Sequence, residues 1–576
     1  MALAFGELVD ALAETIPSLV VAVGETLVDY SPDWAVRLSI ELFGENDKTA
    51  VAAGIVGLTL IIGGLLGASA MAPRRRWLQV AGFAGLAVIG GWSAARHPLS
   101  PFVRSWLVAV AAALLGYLTL TLLSRVAVTR GDLGRSGSSL ARKGPAGVGP
   151  PAHEPADIAA PDNGADPGFS PQLGPTPGTS PDPSRRAFLR SVGSAAVAAV
   201  GLVALGRVLR GPSAAETARA GISLNPSTPP SSPASIPPGI PPTSTSAAGT
   251  PSSTAPTATT AAQRRLAAEL ASLETLDEVE GISTYLTSNR DFYRIDTALT
   301  VPQVDPATWR LRFTGMVDRP YELTFDEILA MDLQERVITL SCVSNPVGGS
   351  LVGNAVWTGV PLADLLDRAG IRQGADQIVG RSVDDWTAGF PTEVVRDGRN
   401  AMLAVGMNGE PLPTQHGFPA RLLVAGLYGY VSAVKWVEEI RLTTWDGFDG
   451  FWVPRGWSKR GPMKIQSRID VPGRGTRPVA GSETSIAGIA WAPTRGIGTV
   501  EMRVDGGPWQ RCELGEAISG ETWVQWHRRW TPTAGTHVLQ VRATDSAGTV
   551  QPEGPVDVRP DGAEGWHRIA VRVDAA

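Results

Sequence analysis

The chain is poor in the residues from which most metal centres are built. Only two cysteines, Cys342 and Cys512, and six histidines occur among 576 residues. Two sulfurs exclude a disulfide framework, a zinc ribbon and an iron–sulfur centre, all of which use more thiolates. Histidine-built metal sites are scarce for the same reason. Charge is also short: the formal net charge is −5, and no long basic run occurs. That argues against a nucleic-acid binder. Proline and glycine are abundant but unevenly spread. Many of the 46 prolines and 65 glycines crowd into 144–183 and 212–257. A single compact enzyme is therefore excluded, and the length allows up to about four units.

Long apolar runs fill the N-terminal third. Residues 50–71 carry no charge over 22 positions, enough to cross a bilayer core. Trp77–Ala95 follows Arg74, Arg75 and Arg76; Trp106–Leu123 leads to Arg125, Arg130, Arg135, Arg142 and Lys143; Ser191–Leu209 follows Arg185, Arg186 and Arg190. With these arginines cytoplasmic, the spans alternate and everything after Arg210 lies outside, in a multi-pass arrangement at the cell membrane. Residues 1–49 are apolar but interrupted by Glu7, Asp10, Glu14, Glu25 and Asp29. They read either as an interfacial amphipathic segment or as a fifth span. The expected organisation is three spans over 50–125, a cytoplasmic Pro/Gly-rich loop over 126–183, a fourth span over 184–210 and a Pro/Ser/Thr-rich linker over 211–260. Ser184–Arg190 (SRRAFLR) resembles the twin-arginine export motif, which implies passage of a folded domain through the twin-arginine translocase.

From Ile282 the composition becomes globular. Trp309–Val317 alternates as a strand, Phe325–Met331 reads as a short helix, and Arg336–Val343 is a buried strand ending at Cys342. Pro361–Ala369 is a helix stopped by Gly370. Further strands are expected at Gln377–Ser382, Arg421–Ala425 and Lys435–Thr443, with Asn408–Gly409 as a turn. Mixed α+β is the expected class for 282–462.

This region resembles the sulfite-oxidase family of molybdopterin enzymes. The resemblance is carried by NRDFYRIDT (289–297), LSCVSN (340–345), WTGVPLADLL (357–366), NGEPLPTQHGFPARLLV (408–424) and SAVKWVEEI (432–440). The N-terminal spans resemble those of actinobacterial-type membrane-tethered members. The resemblance implies molybdenum held by one pterin dithiolene and by a single protein thiolate, which is Cys342 here, with Asn345 in the loop behind it. Tyr293, Arg294, Ser382, His416, Arg421, Ser432 and Lys435 are the implied cofactor-binding residues. Arginine and lysine suit a phosphate as fork and point charge. One residue is inserted before Lys435, which blurs Ser432 against Ala433. Where sulfite enzymes of the family follow their Cys-x-x-Asn with arginines, this chain has Pro346 and Val347, and their active-site tyrosine aligns with Trp457. An anion pocket without those groups should bind sulfite weakly.

Residues 465–573 read as all-β: Ser485–Trp491, Thr499–Val504, Trp523–Trp530, His537–Asp545 and Trp566–Val573, with Asp505–Gly507 as a hairpin turn. Strand spacing suggests an immunoglobulin-like sandwich, and DGGPW and RATDSAG resemble the family's C-terminal dimerisation domain, implying a homodimer. His527, His537 and His567 on these strands read as exposed residues rather than a metal site. The expected fold is thus a multi-span α-helical membrane region, an α+β sulfite-oxidase-like domain and an all-β immunoglobulin-like sandwich. The expected function is extracytoplasmic two-electron oxo transfer on a small-molecule substrate. The rival is an inactive tethered binding module, against which Cys342, His416 and Arg421 together argue. Across the spans the only histidine is His97, and no Cys-x-x-Cys-His occurs. No haem is therefore expected in this chain, and electrons would pass to a separate haem or quinone partner.

Overall fold

The computed structural model of the chain describes residues 1–13, 16–32, 47–69, 76–97, 100–136, 183–209, 213–224 and 261–576, with isolated positions at 35–43 and 211. Two compact units result, Met1–Gly211 and Pro212–Ala576.

The first unit is helical: α1 (Ala2–Leu12), α2 (Leu19–Tyr30), α3 (Asp47–Ser69), α4 (Arg76–Arg96), α5 (Phe102–Ser136) and α6 (Pro183–Leu209). Among the described residues, four helices are long and apolar enough to cross a membrane, namely α3 to α6. Leu60, Ile61 and Leu65 of α3 are 66%, 62% and 67% exposed, so this helix offers its apolar side chains outward instead of to a protein core. Small residues allow close approach elsewhere. Gly91 of α4 lies against Trp106 of α5, and Gly116 of α5 against Phe83 of α4. The fifth-span reading of residues 1–49 gives way to two short helices. Eleven and twelve residues reach only about half of the ~30 Å bilayer core. Ser18 divides them: its hydroxyl accepts from the amides of Val20 and Val21 and donates to Glu7 Oε1 at 2.6 Å. Helix α5 continues past the expected end at Leu123 to Ser136, because an apolar run marks where lipid would end and not where backbone hydrogen bonding must stop. Most of the 126–183 loop, the linker positions 225–260 and the side chains of the twin-arginine motif up to Leu189 lie outside the described residues.

The second unit opens with α7 (Ala214–Ala220) and α8 (Ala261–Ser272). Residues 213–224 fall in the stretch expected to be a spacer, yet Ala215 and Leu224 are buried. The bulk composition of the stretch hid them. A first sheet runs β2 (Tyr321–Thr324), β1 (Arg310–Gly315), β10 (Val437–Thr443), β5 (Gln377–Ser382), β6 (Thr387–Pro391), with only β1 and β10 parallel. The second sheet runs β3 (Gln334–Ser341), β4 (Val352–Pro361), β7 (Ala401–Met407), β8 (Glu410–Pro411), with β9 (Arg421–Val424) also pairing β7. Short helices α9 (Phe325–Leu329) and α10 (Leu362–Ala369) connect them. Thr324 caps α9 in a reciprocal box with Glu327, and Gly370, at φ +72, ends α10. The α+β expectation holds. Strand β4 escaped the sequence reading because nearly every residue is buried, so no alternation marks it.

Two four-stranded antiparallel sheets complete the unit: β11 (Gln466–Val471), β12 (Thr484–Trp491), β16 (Val524–Trp530), β15 (Glu513–Leu514), and β14 (Gln510–Arg511), β13 (Ile497–Val504), β17 (Gly535–Asp545), β18 (His567–Val573). They share one apolar core, with Ile486 and Trp526 from one sheet and Val500, Met502 and Val541 from the other. A second cluster crosses to the α+β region and joins Tyr285 and Val352 to Ile489, Trp491 and Trp523. The β-rich region therefore packs directly beside the sheet that carries Cys342.

Candidate active site

Strands β3 and β4 pair from Gln334↔Gly359 to Ser341↔Val352, and Cys342 adds one more rung, its amide donating to Leu351 O at 2.9 Å. The thiol is thus fixed at the mouth of a hairpin whose loop, 343–350, turns on Asn345. The Asn345 amide donates to Cys342 O at 3.1 Å and its Oδ1 accepts from Leu351 N at 2.9 Å. Its Nδ2, buried, has no partner among the described residues. Burial pushes the Cys342 thiol up, while Ser344 and the Lys435 charge pull it back. The β-rich region reaches this loop: Arg468 donates to Gly349 O at 2.8 Å, and His567 packs against Gly348 so closely that a Cβ there would collide with it. His567 is therefore not the exposed strand residue expected. Its Nδ1 accepts from Ile469 N at 2.9 Å.

The second group of residues comes from two segments, the turn before β9 and the segment after it. His416 and Arg421 are 1% and 4% exposed. His416 Nε2 faces Asn289 O at 2.8 Å. A carbonyl only accepts, so Nε2 carries the proton and Nδ1 is left as a buried acceptor without a partner among the described residues. Burial brings this imidazole down to about 4. Arg421 Nη1 donates to His416 O at 3.1 Å, and its guanidinium lies over Trp357, 4.9 Å from the ring centroid. Its Nε is buried without a partner, no acidic group pairs with it among the described residues, and desolvation draws it down to about 10. Lys435 Nζ pairs with Asp296 Oδ2 at 2.9 Å and donates to Gln415 O at 3.2 Å. Burial pulls it down to about 8. Arg294 Nε meets the same Asp296 carboxylate at 2.9 Å.

Tyr293, stacked on Phe292 at 5.2 Å, feels both Cys342 and Arg421, and burial raises its hydroxyl. Ser382 is buried at the end of β5 with its Oγ unpartnered among the described residues, and desolvation pushes the neighbouring Asp384 carboxyl up. Ser432 turns its hydroxyl back onto Tyr428 O at 3.1 Å, within helix α11 (Gly429–Ser432). Trp457 sits in an aromatic patch with Tyr430, at 5.9 Å, and Trp452, at 6.4 Å. Three groups with a part here were passed over in the sequence reading. Asp296 is the counter-charge to Lys435 and Trp357 the platform for Arg421, while Tyr428, whose hydroxyl is pushed up to about 12, feels Cys342. The first two lie inside the motifs that carried the family resemblance, but only folding pairs them with their partners.

Lys435 and Arg294 thus share one carboxylate while Arg421 has none, and four buried polar atoms, Arg421 Nε, His416 Nδ1, Asn345 Nδ2 and Ser382 Oγ, have no partner among the described residues. A buried guanidinium without a counter-charge is costly, so the donor set fits an anionic, phosphate-bearing group with acceptor and donor edges, next to one thiol. The fold and donor set fit the class of domains that hold a phosphorylated organic cofactor beside a single cysteine.

Comparison with known proteins gives the same class. The family model described as oxidoreductase molybdopterin binding domain matches residues 298–452. The uncharacterized oxidoreductase YuiH of Bacillus subtilis is 34% identical over 157 residues, 27% of this chain and 76% of the relative. Mitochondrial sulfite oxidase of Rattus norvegicus is 28% identical over 342 residues, 50% of this chain. The match spans 62% of that relative's length. The crystal structure of the sulfane dehydrogenase SoxCD from Paracoccus pantotrophus aligns with 22% identity and a TM-score of 0.45, covering 50% of this chain and 82% of that one. The chain belongs to the molybdopterin-binding oxidoreductases of the sulfite oxidase type.

Proposed function

We propose that the chain is a membrane-anchored oxidoreductase whose catalytic domain faces the extracytoplasmic side and carries a single molybdopterin with molybdenum. When bound, that group supplies two-electron oxo transfer. The protein's part is grip, orientation and pocket shape. Cys342 offers the one thiolate, from a hairpin end too short to wander. Arg421, Lys435 and Arg294 would hold the phosphate, His416 Nδ1 would accept from the pterin edge, and Ser382 Oγ and Tyr293 would add polar contacts, whereas the Ser432 hydroxyl is already given to Tyr428 O. Asn345 Nδ2, without a partner among the described residues, would be a donor to the bound group. The observation that carries the reading is Arg421, a guanidinium 4% exposed with an unpartnered Nε.

The substrate is a small, weakly charged oxo donor or acceptor of the sulfoxide class. Support comes from Pro346 and Val347 in place of anion-gripping arginines, and from Trp457 in place of a tyrosine. SRRAFLR assigns export to the twin-arginine translocase, the β-rich C-terminal region is an immunoglobulin-like dimerisation domain, and a separate haem or quinone partner exchanges the electrons, with no haem in this chain. The deciding experiment is molybdenum and pterin quantification on the purified full chain. About one of each per chain is expected, with molybdenum lost in Cys342→Ser and pterin lost in Arg421→Met. A wild-type protein free of both, from a host that makes the cofactor, would refute the proposal in favour of an inactive binding module.

A further inference from the structure

Residues 213–224 follow α6 directly and are fastened to the catalytic domain. Ser213 and Glu216 close a capping box at the start of α7. From its last turn, Arg219 Nε donates to Pro411 O at 3.0 Å and Leu412 O at 2.9 Å, and Nη2 meets Glu410 Oε2 at 2.8 Å. Leu224, 8% exposed, occupies the space over Gly406, where even a Cβ would collide with it. The landing site is the β7–β8 hairpin, whose turn residues Asn408 and Gly409 both have positive φ. This hairpin is braced from its other side. Asn408 Nδ2 donates to Thr287 O at 2.9 Å and to Asn289 Oδ1 at 2.8 Å. Asn289 Nδ2 reaches Met407 O at 3.2 Å and Glu410 Oε1 at 2.5 Å. A seven-residue helix does not persist alone in water, so its order derives from docking.

The chain then returns to the same body. Leu270, in α8, and Leu273 just after it pack against the cluster of Tyr285, Ile489 and Trp523. Both ends of residues 225–260 are therefore attached to the second unit. A segment with both ends on one body cannot be what ties that body to another.

We propose that residues 213–224 are a strap that fastens the catalytic domain to the end of α6, and that the Pro/Ser/Thr-rich segment 225–260 is not the membrane tether. The inference rests on α6 crossing the membrane, as proposed above. Between Leu209 and Ser213 the backbone spans at most about 14 Å, whereas a free linker of ~50 residues would have a root-mean-square reach of roughly 35–40 Å. A domain held this short exchanges electrons with a carrier that is itself embedded in or bound to the membrane.

The test uses the full chain in lipid nanodiscs. Amide exchange over 214–221 should be at least ten-fold slower than in the free peptide, and Arg219→Glu with Leu224→Asp should return it to the free rate. Free-peptide exchange in the wild type overturns the strap. The second measurement is energy transfer from a dye on exposed Asp446→Cys to headgroup acceptors, which is practical because Cys342 and Cys512 are buried. Inserting 30 Gly/Ser residues at position 240 should leave transfer unchanged in the wild type and lower it at least two-fold in the strap variant. A fall in both would show that 225–260 is the tether and sink the proposal. Failure of the chain to co-purify with nanodiscs would instead strike the membrane reading of α6.

Discussion

Asp296→Asn isolates the electrostatic core of the site. Lys435 and Asp296 pair at 2.9 Å with 9% and 6% of their side chains exposed. Even so, burial holds the ammonium at about 8, well below its ordinary 10.5. In the variant the chief remaining acceptor is Gln415 O at 3.2 Å, and the charge is stranded. Stranding a buried charge costs about 3–5 kcal/mol, which for a domain of this size lowers Tm by roughly 4–7 °C near pH 7. The variant's Lys435 titrates still lower. Between that value and 10.5 the unfolded chain binds more protons than the folded one, so the variant gains stability as pH rises through the window. The wild-type lysine keeps its proton up to about pH 8, so the deficit narrows between the variant's value and pH 8 and stays constant above it, where both folded chains have lost the proton. Asp296→Asn with Lys435→Met removes both charges and should recover most of the loss. The assay is thermal unfolding of the detergent-solubilised chain from molybdenum-starved cells, followed by tryptophan fluorescence at pH 7 and 9.5. A deficit below about 1 kcal/mol, or a double variant as unstable as the single one, would refute the reasoning.

Acidification should destabilise the second unit, because His416 and His567 are both held down to about 4 by burial. Their ordinary value is 6.5, so the stability they confer is complete above 6.5 and drains away as pH falls through 4. For His416, 1% exposed, the limit is about 3 kcal/mol. Tm measured from pH 7 to 4.5 should fall more gently in His567→Gln, and identical slopes would contradict the assignment. Steady-state kinetics should give a neutral sulfoxide a higher kcat/KM than sulfite, and tight, efficient sulfite turnover would count against the pocket read from Pro346, Val347 and Trp457. The purified chain should show no Soret band, since His97 is the one histidine in the sequence of the spans, and a stoichiometric b-haem spectrum would overturn that reading.

Several features were legible in the sequence because they depend on neighbours along the chain. The apolar runs of α3 to α6 appear as unbroken composition, and the α10 stop at Gly370 and the Asn408–Gly409 turn appear as local backbone preference. Cys342 stood out as one of two sulfurs, set in a motif long enough to carry a family. What sequence order could not decide was pairing between distant segments. The apolar strands around Arg421 and Lys435 (ARLLV, AVKWV) suggest buried ionic partners, but Lys435 and Asp296 are 139 positions apart, and Arg421 meets Trp357 instead of an acid among the described residues. Strand β4 hides its periodicity because both faces are covered, and His567 becomes a support of the Cys342 loop only when the β-rich sheets close against it. Residues 213–224 look like the start of a spacer, since a window average cannot register that Arg219 and Leu224 find a hairpin nearly two hundred positions away. Local preference and composition act over a few residues and survive in one dimension. Burial, counter-charge and hydrogen-bond satisfaction belong to the neighbours a side chain acquires on folding, and only the tertiary structure supplies them.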